Sequence, residues 1–462
     1  MGENAHKKNT NERDTDPGAR SAAAARHQLQ MQYAGKKFVQ AAAGNAGSRE
    51  ANGRCAGRSG AGHERSFTAL RVVYKTSDIR PLHAHRTSRR CAPFCCLGPR
   101  RLPFSVRMKA CTIAGYEDLD SLTIDLEYPI PAVTEPGTLL IKTCAVSLAP
   151  GDVRVLSGMT SLMQAPKCFP YVPGGDSSGV VVEVYRGETR FQVGDRVACV
   201  FPEPRPFDAL AEFRLVLTKH AAKVPDPVSM VDASTVPSSG LTAYSFKEHV
   251  RPGDRVVVIN ACGGVGCFLL QLLKREFGAS YVLAVTGAVD LAASLGADAV
   301  VDRRSGAKWW EHPSLQTAPA DLVLDLYGTA AHWNASCSSG AVKPAKSGGR
   351  FVCIGMEDPW PKIQHVWQVV PLLFSFLKRG VYSYLHPATC PTHANHSGLK
   401  RDVQERNEAL LQLMGEGKVA AVVARELKFD SESVREAFRM QKAREHSGKV
   451  VVKVASEASA FL

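Results

Sequence analysis

Four β-branched residues, Val256-Val257-Val258-Ile259, run into Asn260-Ala261-Cys262-Gly263-Gly264-Val265-Gly266, and an amphipathic segment follows from Cys267. A strand, a glycine turn and a helix in that order suit a dinucleotide pyrophosphate. Backbone without side chains lets phosphate approach, and the helix turns its unpaired N–H groups and positive dipole end toward the anion. The same turn can also join strand to helix with no ligand. Here it opens a series of further strand-like runs, which favours the ligand. Ala261, Gly263, Gly264, Val265 and Gly266 are therefore assigned to a cofactor elbow.

The position about 20 residues beyond the glycines, where a carboxylate would accept hydrogen bonds from a ribose hydroxyl, holds Thr286-Gly287-Ala288. With no acid to repel a 2′-phosphate, and Arg303-Arg304 after the third strand run, NADP(H) is the expected cofactor, with Thr286 and Arg303 in its site. The two arginines also read as a solvated surface pair.

The elements that must hold these residues follow from periodicity. From Met108 to about Ser234, short β-rich runs (138–142, 179–184, 196–201, 213–217) are separated by Pro, Gly and Asp turns, the pattern of an antiparallel β domain. After Pro252-Gly253-Asp254 strands alternate with helices: strands 256–259, 281–285, 299–301, 322–326, 350–354 and 381–385, with helices at 265–277 and 291–295. That alternation implies a doubly wound parallel sheet. Helices at 405–415 and 431–443 and a strand at 449–454 close the chain, the strand returning to the β domain. The fold class is α/β, and the expected divisions are 1–107, an extension; 108–234, β domain; 235–390, dinucleotide-binding domain; and 391–462, the return.

Residues 1–107 hold 20 Lys and Arg against 7 Asp and Glu, whereas residues 108–462 hold 37 of each. The basic character thus belongs to the extension, and a nucleic-acid partner is not expected of the body. The extension lacks helical or strand periodicity and reads as disordered. It is open to three readings: a transit peptide, an arm for an acidic partner, or an upstream segment outside the working protein, with Met108 as an alternative start. Glu3, Glu12, Asp14 and Asp16 weigh against a transit peptide. A cytoplasmic location is expected, or a mitochondrial one if the extension is a transit peptide. Four of the 13 cysteines fall in the extension and nine in the body, without disulfide-framework or zinc-ribbon spacing. The most apolar stretch, Val366 to Leu377, is about half a membrane span and is broken by Gln368 and Pro371, so no membrane partner is expected.

The body resembles the zinc-free quinone oxidoreductases (zeta-crystallin-like) of the medium-chain dehydrogenase/reductase superfamily over Met108 to Val454. The residues that carry the likeness are Pro173-Gly174-Gly175-Asp176-Ser177-Ser178-Gly179, Phe191 to Val197, Ala211-Glu212-Phe213, Gly240-Leu241-Thr242-Ala243-Tyr244, the elbow, Leu295-Gly296-Ala297-Asp298, Gly348-Gly349-Arg350 and Ser447-Gly448-Lys449. The resemblance implies a GroES-like catalytic domain joined to a Rossmann domain with the active site between them. It also implies a homodimer or homotetramer. Thr242 and Tyr244 would lie beside the nicotinamide, Gly355 in the cofactor site and Lys449 at the cofactor end of the cleft.

Where metal-dependent relatives place zinc ligands this chain has Ala149 and Gly175, which offer no electron pair. No metal ligand is assigned. Hydride transfer without a metal points to an acceptor that is already electrophilic, a quinone or an α,β-unsaturated carbonyl. The oxygen that gains charge needs a donor, for which Tyr171 is the candidate. Asp152 would orient the cleft, and Thr242 completes the catalytic set. Each has a plain alternative: an aromatic before a glycine turn packs in a core, and Asp152 and Thr242 cap helices. Two other functions remain in view, an enoyl-thioester reductase and a non-catalytic NADPH-binding structural or RNA-associated protein. The first would want a tyrosine after Asp152, and none occurs between Ser157 and Phe169.

Overall fold

A computed structural model describes residues 107–457 except 117–118, 167, 201–208, 355–357, 359 and 397–401. The extension's first 106 residues lie outside it, as does Gly355.

The β domain begins with β1 (Arg107–Thr112) and β2 (Thr123–Pro129), an antiparallel pair. Its main sheet is built on β3 (Thr138–Ser147), buried at nine of ten positions, which pairs antiparallel with β4 (Asp176–Val184). Helix α1 (Pro150–Leu156) lies between them in sequence. The sheet continues through β5 (Arg196–Cys199) to β7 (Ala221–Lys223), and β6 (Phe213–Leu217) adds to β3. Gly179 permits the close β3–β4 approach, since a Cβ there would sit 2.4 Å from the Lys142 carbonyl oxygen.

Two short helices, α2 (Met230–Ser234) and α3 (Leu241–Ser245), lead into the second domain. Its strands are β8 (Arg255–Ile259), β9 (Tyr281–Thr286), β10 (Ala299–Asp302), β11 (Leu322–Asp325), β12 (Arg350–Cys353) and β13 (Thr392–Asn395). They form one parallel sheet in the order β10-β9-β8-β11-β12-β13, so the first strand sits centrally and the chain winds outward on both sides. This is the doubly wound order that opens a crevice at the carboxyl ends of the central strands.

Between the strands lie α4 (Gly264–Arg275), α5 (Val289–Ser294), α6 (Pro313–Thr317), α7 (Ala330–Ser338) and α8 (Val369–Leu385). The period-two alternation of β8 feeds two cores. Val256 and Val258 pack with Phe268, Leu269, Leu272 and Leu273 of α4 on one face, while Val257 and Ile259 pack with Trp309 and Trp333 on the other. At roughly 1.5–3 kcal/mol per fully buried aliphatic or aromatic side chain, these layers fix the elbow above them.

The chain ends with α9 (Val403–Gly415), β14 (Val423–Lys428), α10 (Ser431–Ala443) and β15 (Lys449–Lys453). β15 pairs antiparallel with β3 and parallel with β14, which places both in the β-domain sheet.

Two expectations fail here. Residues 381–385 are the last turn of α8, not a strand, because the Val-Tyr-Ser-Tyr-Leu run continues a helical stripe. The sixth strand is instead the short Thr392–Asn395, so the sheet passes the boundary expected at 390.

Candidate cofactor and active-site cleft

The elbow is built by close approach. Asn260 leaves β8 with φ 63°, an αL conformation that asparagine tolerates better than most residues. Gly263 is the N-cap residue of α4. A Cβ on Gly266 would stand 2.3 Å from the Ala261 carbonyl oxygen, so glycine is required for the helix to start there. A Cβ on Gly264 would meet Lys449 Cδ at 2.9 Å and Ser239 Oγ at 3.2 Å. The bare first turn of α4 therefore forms one wall of a cavity of about 220 Å³. Leu326, Tyr327 and Ile354, just past the carboxyl ends of β11 and β12, line it from the same domain. Leu148, Pro150, Arg154 and Lys449 face it from the β domain. First-turn amides beside such a floor suit a pyrophosphate.

Below the elbow lies a buried charged cluster. Lys449 is 3% exposed; its Nζ donates to the Leu148 carbonyl at 2.8 Å and stands 3.8 Å from Asp176 Oδ2. Asp176 also accepts from Ser238 Oγ at 2.5 Å. Asp152 accepts from the Ala149 backbone N–H at 2.7 Å and so caps α1. Burial pushes the Asp152 carboxyl up to about 6, with repulsion from Asp176 adding to the rise and Lys449 opposing it. Burial likewise raises Asp176, while it lowers the Lys449 ammonium against the pull of both acids. Two carboxyl groups thus share one cation. The Gly448 N–H donates to the Cys262 carbonyl at 2.9 Å and ties β15 to the elbow.

A second cavity continues along the elbow to Thr286, Gly287, Arg303, Arg304 and Arg444. Arg304 is held by Asp302 through Nε and Nη2, both at 3.0 Å. The arginine side chains lie over Gly287, where a Cβ would meet Arg304 Cδ at 3.3 Å and Arg303 Nε at 3.6 Å. Thr286 Oγ1 accepts from the Ala288 N–H at 3.2 Å. Arg444 ends α10 in an αL conformation (φ 57°), places its guanidinium 5.4 Å from the Tyr327 ring centre, and borders both cavities.

The alcohol dehydrogenase GroES-like domain model matches residues 135–226, and the zinc-binding dehydrogenase model matches residues 295–452. The chain belongs to the medium-chain dehydrogenase/reductase superfamily. Among relatives, it is 32% identical over 258 residues to the 2-methylene-furan-3-one reductase of Solanum lycopersicum, covering 54% of this chain and 62% of that one. It is 31% identical over 258 residues to the chloroplastic NADPH-dependent alkenal/one oxidoreductase of Arabidopsis thaliana, with the same coverages. The chain thus spans less than two thirds of the length of these relatives. The quinone oxidoreductase structure from Coxiella burnetii superimposes with a TM-score of 0.58 at 22% identity, over 75% of this chain and 99% of that one, a likeness of fold.

Within this superfamily fold the structure brings Gly263, Gly264, Val265, Gly266 and Lys449 together around the first cavity, and Thr286 and Arg303 around the second. Ala261 lies beneath them, fully buried.

The expected catalytic set is not assembled. Tyr171 is 3% exposed, exchanges both backbone hydrogen bonds with Ile113 and packs in the β-domain core instead of the cleft wall. Thr242 is not a wall residue either; on that segment Ser239 is, while the Thr242 carbonyl accepts from Ser245 Oγ. Tyr244 sits edge-on to Phe277 at 6.1 Å, beyond the far end of α4. Twelve residues of helix, about 18 Å, separate that end from the elbow. Asp152 lies in the Lys449 cluster and does not line the cavity.

Asn260, Ser239, Tyr327 and Arg444 were missed. Asn260 was legible as the left-handed residue between strand and glycines, but Tyr327 and Arg444 reach the cleft from distant parts of the sequence.

Proposed function

We propose that this chain is a zinc-independent, NADPH-dependent reductase of quinones or α,β-unsaturated carbonyl compounds. The observation that carries the cofactor choice is the cavity bordered by Arg303, Arg304 and Arg444 at a strand end that offers Thr286 in place of a carboxylate. Guanidinium groups favour a 2′-phosphate through charge-assisted hydrogen bonds. The activities for which the tomato and Arabidopsis relatives are named support the acceptor class.

The elbow glycines fit a pyrophosphate, since a Cβ on Gly264 or Gly266 would occupy or distort that floor. When bound, the reduced nicotinamide supplies a hydride. The protein's part is to hold the two partners in register and to meet the negative charge that forms on the acceptor oxygen. Ser239, Tyr327 and Arg154 face the cleft and can donate to that oxygen. Ala149 and Gly175 have no donor atom to hold a Lewis acid.

The test is to mix the full-length protein with NADPH and either an orthoquinone or an enone and to follow the nicotinamide absorbance. Acceptor-dependent oxidation of NADPH supports the reading. No oxidation with either acceptor, together with tight, salt-sensitive RNA binding, would move the assignment to the non-catalytic alternative.

A further inference from the structure

Helix α8 carries an apolar surface that none of the described residues covers. Val370, Leu373, Phe374, Leu377, Val381 and Tyr384 recur at three- and four-residue steps and are all exposed, Phe374 at 67% and Tyr384 at 84%. They form one stripe along a helix about 25 Å long. The opposite side is anchored: Val369 is buried, and Ser383 Oγ donates to the Pro391 carbonyl at 2.8 Å and accepts from the His393 N–H at 3.2 Å. The outward stripe contains no charged residue. Monomeric surfaces rarely leave so continuous an apolar strip in water.

Three further features say what it meets. Trp367, 68% exposed, precedes the stripe, and Tyr382 and Tyr384 end it, so aromatic rings with polar edges stand at both ends. From Trp360 to Arg401 the sequence has five Lys and Arg and no Asp or Glu, although the body as a whole is electrically balanced. Lys362, ahead of α8, and Lys378, next to Leu377 on it, are both exposed. A second copy of the chain would bring the same cations against each other, whereas an anionic lipid surface would pair with them.

We infer that α8 is an interfacial docking helix that lays its apolar stripe into the headgroup region of an anionic bilayer. No helix among the described residues is long and apolar enough to cross a membrane. The attachment is therefore peripheral, along the plane of the surface. It revises the sequence expectation that membranes are not a partner.

The segment leading into α8 is also pinned to the turn after α1, the helix that carries Arg154. The Ile363 N–H donates to the Met159 carbonyl at 2.7 Å, and the Leu162 N–H donates to the Ile363 carbonyl at 3.1 Å. Exposed Leu162 and Met163 extend the apolar surface there. Docking would thus hold the turn after α1 next to the lipid. The inference does not depend on the proposed reaction, because it is read without turnover.

Full-length protein is sedimented with vesicles of phosphatidylcholine alone and of phosphatidylcholine with phosphatidylserine, and compared with Phe374→Glu and Leu377→Glu. The expected result is binding to the serine-containing vesicles, weakened by salt and reduced roughly tenfold or more in each variant. Brominated lipid should quench fluorescence in the parent protein, and Trp367→Phe should remove most of that quenching. Unchanged binding in both variants with no quenching at Trp367 would overturn the inference by placing any lipid contact elsewhere. Failure to bind, with a dimer in light scattering that both variants dissolve, would overturn it in favour of a second copy. Circular dichroism of the variants excludes unfolding as the cause of a loss.

Discussion

Replacing Asp152 by asparagine tests whether the buried cluster under the elbow carries the charge deficit described above. The carboxyl is lifted from its ordinary 3.8 to about 6, chiefly by desolvation. At 1.36 kcal/mol for each pH unit, that difference corresponds to about 3 kcal/mol. Below about pH 3.8 the group is protonated in both folded and unfolded chains and costs nothing. Above about 6 it is ionised in both, and the folded protein bears the whole penalty. Asp152 therefore makes the parent protein less stable as pH rises from about 4 to about 7. Asparagine keeps an acceptor for the Ala149 N–H but cannot ionise, so D152N lacks that component. Urea unfolding of both proteins across this range should show D152N gaining about 3 kcal/mol relative to the parent. A stability difference that stays constant from pH 4 to pH 7 would refute the reasoning, because the carboxyl would then titrate alike in the folded and unfolded chains.

Arg303→Gln should weaken NADPH roughly tenfold and leave NADH unchanged, from about 1.5 kcal/mol for an exposed charge-assisted hydrogen bond, as read by calorimetric titration of both nucleotides. An equal loss for both would show that Arg303 does not recognise the 2′-phosphate. Gly266→Ala drives a methyl group against the Ala261 carbonyl and should cost about 1–3 kcal/mol of stability and abolish measurable nucleotide binding; intact affinity would show that the elbow relaxes freely. Lys449→Met strips two buried carboxyl groups of their cation and should cost about 3–5 kcal/mol, much of it recovered by adding Asp176→Asn. A double variant no more stable than the single one would mean that the pair is not coupled.

Legibility followed locality. The elbow and α4 were readable because their strand, turn and helix are consecutive and strongly patterned. α10 occupies Ser431–Ala443 as expected, and the structure adds its cap, Asp430, which accepts from the Ser433 N–H. β14 went unseen because only Leu427 among its six residues is buried, which leaves no alternation to detect. β13, Thr-His-Ala-Asn, carries no strand signal and exists because β12 offers it an edge. α8 was misread in part because its outward face is as apolar as a buried strand. In the site, the glycines were legible from their own geometry, whereas Tyr171, Thr242 and Tyr244 were assigned through likeness, and residue type alone does not tell a core aromatic from a cleft aromatic. Arg444 depended on the path of the chain between β14 and β15.

That path has a consequence for how the protein comes to life. The strand that completes the β-domain sheet, and with it the lysine under the elbow, leaves the ribosome nearly two hundred residues after the glycines. A growing chain can finish the parallel sheet first, yet it lacks the part of the cavity wall from Arg444 to Lys449 until β15 emerges. Nucleotide should therefore protect from proteolysis best those chains that reach β15, and a product cut short before residue 444 would keep Leu148, Pro150 and Arg154 opposite the elbow but lack Arg444 and Lys449.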